Sequence, residues 1–388
     1  MLFHARILPQ GQNSLIAICA AARGGMEFNM NINDKTLKAG ERAIYSLRQL
    51  YESFGYSQYK MSKFEEYDLY VRNKSFLVSD QIITFTDTDG KLMALKPDVT
   101  LSIVKNSREG ICGVRKLYYN ENVYRVPRGA LSFKEIMQTG LECIGEIDTY
   151  YMLEVLTLAA SSLELISPNY VLDISHVGII SSLVDEIGLS TSGRQKIFKC
   201  IGEKNIHEID TVCVAEGKSD DAANKLKKLI MLGGDCGVML DILKGNECEN
   251  DAKELAKIIS LLKEKYGAKI RLDFSVVDDS NYYSGIVFKG FINGIPSAIL
   301  SGGRYDNLMK KLGKDTGALG FAVYLDLIDE LDDGYDDYDT DVVVVYKDGA
   351  ELSSLYALAE DLRKDGKRVT VRKTMPHRLK YKELIEFN

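Results

Sequence analysis

Four segments put polar side chains where a strand-rich core would ordinarily be apolar. They are Leu95–Thr100, with Lys96, Asp98 and Thr100; Tyr124–Pro127 with Phe133–Glu142, carrying Arg125, Gln138 and Glu142; Asn281–Phe288, with Tyr282 and Tyr283; and Ser301–Asp306, followed by Gly317–Ala322. In Phe133–Glu142 the two-residue period of a strand sets Gln138, Gly140 and Glu142 on one face and Met137, Thr139 and Leu141 on the other. An amide, a glycine and a carboxylate on one sheet face form a polar floor for the backbone-sized groups of a small ligand. A carboxylate in such a place needs a partner, because an unpaired interior charge is costly. Two partners are open: a ligand, or an internal arginine such as Arg125 or Arg304. Taken alone, Tyr282-Tyr283 reads as core packing and Ser301-Gly302-Gly303 as a bulged hairpin corner.

Other motifs carry less. Gly188–Arg194 has the spacing of a phosphate loop but lacks the Lys-Ser/Thr that would reach phosphate and magnesium, so it reads as an interhelical turn. Val342–Val345 followed by Asp348 mimics a ribose-phosphate loop without adjacent acids or a small-residue cradle, and reads as a buried strand. The seven cysteines (Cys19, Cys112, Cys143, Cys200, Cys213, Cys236 and Cys248) show no C-x-x-C, and the four histidines are not at ligand spacing. Reduced thiols in a cytoplasmic protein are expected, with no metal site and no disulfide frame.

The elements that must position these groups follow from periodicity. A helix is expected over about Asp34–Phe54, stopped by Gly55. A hairpin joins Gln81–Thr86 to Lys91–Leu95 through Thr88-Asp89-Gly90. A strand pair, Lys116–Val126 and Phe133–Gly145, precedes a helix over Asp148–Ile166. Residues 176–268 read as helical, with Ile179–Ile187, Asp220–Met231 and Asp251–Tyr266 the clearest periods. Strands return at Lys269–Val277, Tyr283–Ile292 and, past the turn Asn293-Gly294, Ile295–Leu300. A strand, helix, strand unit closes the sequence at Asp341–Tyr346, Glu351–Lys364 and Lys367–Arg372. Antiparallel blocks separated by helices indicate an α+β fold, not a parallel βαβ array.

The chain has 388 residues, 45% hydrophobic and 27% charged, with 49 Lys+Arg against 56 Asp+Glu and a net charge of −7. That supports two or three domains with real cores and disfavours charge-driven binding of nucleic acid as the main task. The expected organisation is a disordered extension over 1–30, with Met26 or Met30 as alternative starts. A core in two parts then follows (31–175 and 269–331), interrupted by a helical insertion (176–268), then an acidic linker (332–341) and a short α/β unit (342–388). The apolar stretch Leu15–Ala22 is too short to span a bilayer, and no membrane partner is expected.

In this order and spacing, the four segments resemble the class II aminoacyl-tRNA synthetase core in its histidyl branch, over about Asp34 to Leu331. The resemblance implies a mixed antiparallel sheet flanked by helices, with the C-terminal unit similar to half of an anticodon-binding domain. It also implies that Asp98, Thr100, Gln138, Glu142, Tyr282 and Tyr283 surround a bound histidine, with Arg125 as the arginine of motif 2. The chemistry agrees: Asp98, Gln138 and Glu142 offer acceptors to an α-ammonium, and the two tyrosines offer aromatic walls to an imidazole.

Departures from the family pattern cluster on the nucleotide side. The acid expected two residues after Arg125 is Pro127, and the motif 3 arginine falls at Leu327. The histidyl-specific arginine aligns near Asp278, and the motif 1 proline is replaced within Met61-Ser62-Lys63. Losing one group aimed at a transition-state charge costs about 10²–10³ in rate, so adenylate formation should be negligible. This combination resembles the regulatory subunits of ATP phosphoribosyltransferase, paralogues of histidyl-tRNA synthetase in histidine biosynthesis. That resemblance implies a non-catalytic chain with no catalytic residue, cofactor or metal. It would pair with a short catalytic subunit, form a self-dimer within a hetero-oligomer, take histidine as effector and leave tRNA unbound. A working or degenerate histidyl-tRNA synthetase and a stand-alone amino-acid sensor are the alternatives.

Overall fold

A computed structural model describes residues 38–73, 81–106, 113–126, 131–218, 220–277, 282–328, 338–375 and 378–387. The expected extension over 1–30, most of the acidic linker, Pro127 and Asp278 lie outside the described residues.

The helix Ala39–Ser53 buries Gly40, Ala43, Leu47 and Tyr51 at steps of three and four. Gly55, at φ 82°, ends the run in the left-handed region that glycine adopts without strain. The strands of the first half are β1 (Ser57–Gln58), β2 (Phe64–Glu66), β3 (Thr84–Thr86), β4 (Leu92–Leu95), β5 (Val114–Arg125), β6 (Lys134–Gly145) and β7 (Tyr170–His176). Those of the second half are β8 (Ile270–Leu272), β9 (Ile286–Ile292), β10 (Leu300–Arg304), β11 (Gly317–Tyr324), β12 (Thr340–Tyr346), β13 (Val369–Arg372) and β14 (Tyr381–Phe387). Eight of them form one sheet in the order β1-β5-β6-β11-β10-β9-β7-β8. Its five central pairings are antiparallel, and β1 and β8 join the edges in parallel.

The β3–β4 hairpin closes where Gly90 donates to Asp87 O at 3.0 Å. β5 and β6 pair over their full lengths, from Val114 opposite Gly145 to Arg125 opposite Lys134. Beneath the sheet runs the helix Thr149–Ile166, capped by Asp148, which accepts the Tyr151 N–H at 3.0 Å. The apolar core on this side includes Leu141, Leu172, Ile174 and Phe321 with Leu156, Ala159 and Leu163 of that helix. No helix among the described residues is long and apolar enough to cross a membrane.

Between β7 and β8 lie the helices Val177–Ile187, Thr191–Gly202, Ile206–Ala215, Asp220–Ile230, Cys236–Ile242 and Glu249–Tyr266. The phosphate-loop mimic is the start of one of them: the Ser190 hydroxyl caps Gly193 N–H at 3.0 Å. A carboxylate of the chain itself fills the place, since Glu216 accepts from Ser190 N–H at 2.7 Å and from its hydroxyl at 2.6 Å. In the C-terminal unit a parallel sheet, β13-β12-β14, packs Val342 and Val344 against Leu355 of the helix Leu352–Lys364.

Two expectations need correction. The strand expected over Lys269–Val277 is only β8, because Asp273 turns the chain by accepting from Ser275 N–H at 2.9 Å and its hydroxyl at 2.7 Å. The strand expected over Ile295–Leu300 lies instead at β10, so Ser301-Gly302-Gly303 is a strand interior and not a corner. The sequence reading also omitted β1, β2, β7, β11 and β14.

Candidate ligand-binding site

All seven residues named from the sequence line one cavity: Asp98, Thr100, Arg125, Gln138, Glu142, Tyr282 and Tyr283. Its volume is about 80 Å³. On a measure that gives one water ~10–15 Å³, this holds about half a dozen waters, enough for a small metabolite.

The floor is the face of β5, β6, β11 and β10 anticipated from the alternation of β6. Glu142 lies on it, 2% exposed. It takes the Thr100 hydroxyl at 2.7 Å on one oxygen and the Tyr305 hydroxyl on the other. Among the described residues no arginine pairs with it, and the two hydroxyls take the place of the internal arginine considered from the sequence. Burial pushes its carboxyl up to about 8; the field of Asp98 adds to this, and the two hydroxyl bonds oppose it. The acid is therefore mostly protonated at neutral pH and would ionise once a cation arrived.

Glycines make room for this group. Gly320 lies directly across the strands from Glu142, and a Cβ there would sit 1.9 Å from the carboxylate oxygen Oε2. A Cβ on Gly140 would meet the Tyr119 hydroxyl at 2.5 Å, and one on Gly303 would strike the Tyr283 ring at 2.6 Å. The aromatic wall consists of Tyr282 edge-on to Tyr283, centroids 4.8 Å apart, with Tyr305 at 5.7 Å from Tyr282.

Asp98 follows β4 and accepts the Leu101 N–H at 2.8 Å at the start of the helix Thr100–Asn106. Burial raises its carboxyl above the usual range, against the Leu101 hydrogen bond and then the field of Arg125. Arg125, 8% exposed, lies 5.9 Å over the Tyr324 ring. Among the described residues neither its guanidinium nor the Gln138 amide has a hydrogen-bond partner. Two acids and an open guanidinium lining one cavity suit a small zwitterion, whose ammonium would pair with an acid and whose carboxylate would pair with Arg125.

The motif 3 arginine of the synthetase pattern aligns with Leu327. Leu327 sits in the short 3₁₀ turn Leu325–Leu327 and packs against the apolar core. Arg304 is engaged with Asp306 at 2.8 Å. Sequence reasoning missed Tyr119, Tyr305 and Tyr324 as lining residues. The signal for Tyr119 was strand alternation: counting back in twos from Arg125 reaches it.

Comparison with known proteins follows the same lines. The histidyl-tRNA synthetase family profile matches residues 31–328. The chain is 30% identical to the ATP phosphoribosyltransferase regulatory subunit of Clostridium kluyveri over 340 residues, covering 82% of this chain and 85% of that one. It superposes on an ATP phosphoribosyltransferase regulatory subunit/histidyl-tRNA synthetase from Bacillus halodurans with TM-score 0.73 and 23% identity, over 90% of this chain and 94% of the other. A chain of the ATP phosphoribosyl transferase (HisG:HisZ) complex from Thermotoga maritima gives TM-score 0.58 and 19% identity, over 74% of this chain and 97% of that one. These structural likenesses establish the fold, the α+β class II synthetase-like sheet flanked by helices. With the profile covering most of the sequence, the chain belongs to the histidyl-tRNA synthetase family, as a relative of its ATP phosphoribosyltransferase regulatory subunits.

Proposed function

We propose that the chain is a non-catalytic regulatory subunit of ATP phosphoribosyltransferase, acting in the cytoplasm in histidine biosynthesis. It assembles with a short catalytic subunit, pairs with a second copy of itself in that assembly, raises the partner's activity and makes it answer to histidine. Histidine binds at Asp98, Thr100, Arg125, Gln138, Glu142, Tyr282 and Tyr283, favours one arrangement of the assembly and lowers the partner's rate. A ligand can do this only by binding the two arrangements with different affinity. The organisation of the chain that goes with this reading is the two-part core, helical insertion and C-terminal α/β unit described from the sequence.

The observation that carries the proposal is an asymmetry. The cavity is lined by two acids, a guanidinium and tyrosines, whereas the position that the resemblance aligns with a phosphate-gripping arginine is Leu327. The Thermotoga maritima neighbour, a chain of the ATP phosphoribosyl transferase (HisG:HisZ) complex, supports the expectation of a partner. The test is to add the purified chain to a short catalytic subunit and follow formation of phosphoribosyl-ATP from ATP and phosphoribosyl pyrophosphate. Stimulation that histidine reverses is expected; no stimulation contradicts the proposal. A second reading, a working histidyl-tRNA synthetase, is favoured by the retained Arg125, and histidine-dependent ATP–pyrophosphate exchange would establish it.

A further inference from the structure

Lys96 is among the largest fully buried side chains, with 0% of its surface exposed. Its backbone is held on both sides: its N–H donates to Lys63 O at 3.1 Å, and its carbonyl accepts the Tyr124 N–H at 2.9 Å. Its ammonium reaches Glu121 at 2.5 Å, and the Glu121 side chain is 15% exposed. The same carboxylate accepts the Met61 N–H at 3.4 Å. Burial draws the ammonium below its usual range; Glu121 and then Glu65 oppose that, and Lys63 adds to it.

The place of this pair matters more than its strength. Tyr119, Glu121, Val123 and Arg125 share one face of β5. Tyr119 and Arg125 line the cavity, and Glu121 between them is turned to Lys96. Across the strands Glu121 lies opposite Gln138, another lining residue. Lys96 in turn stands two residues before Asp98 and four before Thr100, whose hydroxyl holds Glu142. One ion pair thus joins the Asp98–Thr100 turn to the strands that carry Arg125 and Gln138. As filler, an apolar side chain of similar volume would serve as well or better, because two charges taken out of water seldom gain net stability.

We infer that Lys96 and Glu121 are positioning residues for the cavity, fixing Asp98 and Thr100 at the distance from Gln138 and Arg125 that the ligand requires. The inference rests on the reading of the cavity as a histidine site. Its test is calorimetric titration of the full chain with histidine, paired with thermal unfolding. Lys96→Met should bind about ten- to hundredfold more weakly, the range over which ångström-scale misplacement acts. Lys96→Met/Glu121→Met should regain the melting temperature and remain weak. Glu121→Asp keeps the charge and draws the pair in by about 1.5 Å; it should bind roughly tenfold more weakly at an unchanged melting temperature. Lys96→Arg, which preserves the pair, should restore tight binding. A stable double variant, or Glu121→Asp, with wild-type affinity overturns the inference and leaves the histidine reading intact. A wild-type chain that does not bind histidine overturns both.

Discussion

Histidine binding should expel a proton and tighten as pH rises toward 8. In the free protein burial pushes the Glu142 carboxyl up to about 8; the Tyr305 and Thr100 hydroxyl bonds oppose this and the field of Asp98 adds to it. An α-ammonium bound beside it favours the ionised form, so the protonated fraction of the free protein must ionise on binding. For a group at 8, the apparent affinity should fall about fivefold from pH 8 to pH 7, and about 0.9 proton should leave per histidine bound at pH 7. A free imidazole titrating near ~6.5 is about a quarter protonated at pH 7, so the ligand's own proton change is subtracted from the count. The assay is calorimetry at pH 7 in buffers of different ionisation enthalpy, whose slope counts protons directly. Glu142→Gln should remove the slope along with most of the affinity. Affinity flat between pH 7 and 8, with no proton released, would refute the reasoning.

Other expectations follow from the same geometry. Because the folded-state titration of this acid is raised from 4.5 to about 8, its contribution to stability declines as pH rises from 4.5 through 8. Glu142→Gln should therefore melt higher than the parent at pH 8.5, by at most about 5 kcal/mol at ~1.4 kcal/mol per pH unit, and show no advantage at pH 4. Gly320→Ala forces a methyl into the Glu142 carboxylate and the Leu141 carbonyl; a loss of about 1–3 kcal/mol in denaturant titration and of histidine binding is expected. Tyr305→Phe removes a donor that holds the Glu142 titration down, so the pH at which binding becomes tight should move upward. Arg125→Leu deletes the guanidinium facing a ligand carboxylate and should weaken histidine by about 1.5–3 kcal/mol, read by calorimetry.

Much of the site could be read before the fold was known, and glycine explains a good part of what could not. Gln138 and Glu142 were legible because β6 is a central strand whose polar face departs from the apolar rule at alternate positions. Strand β11, by contrast, carries Gly317 and Gly320, and β10 carries Gly302 and Gly303. Glycine weakens any strand signal, yet here it is what the site demands: only a missing Cβ leaves room for the Glu142 oxygen beside Gly320 and the Tyr283 ring beside Gly303. Strand β7 was hidden for another reason. Tyr170–His176 runs without glycine or proline into the helix Val177–Ile187, and without a breaker between them the sequence does not disclose where one element ends. The side-chain pairing of Glu142 was also beyond the sequence, since Thr100 and Tyr305 lie 42 and 163 residues away from it.

The most direct test of the central claim is inhibition of the reconstituted complex by histidine. The rate of phosphoribosyl-ATP formation would be measured as histidine is raised, with the parent chain and with Arg125→Leu, each normalised to its own uninhibited rate. The account predicts that the parent complex is inhibited and that the variant needs about tenfold or more histidine for the same effect. Identical inhibition curves would put the feedback site elsewhere and contradict the account.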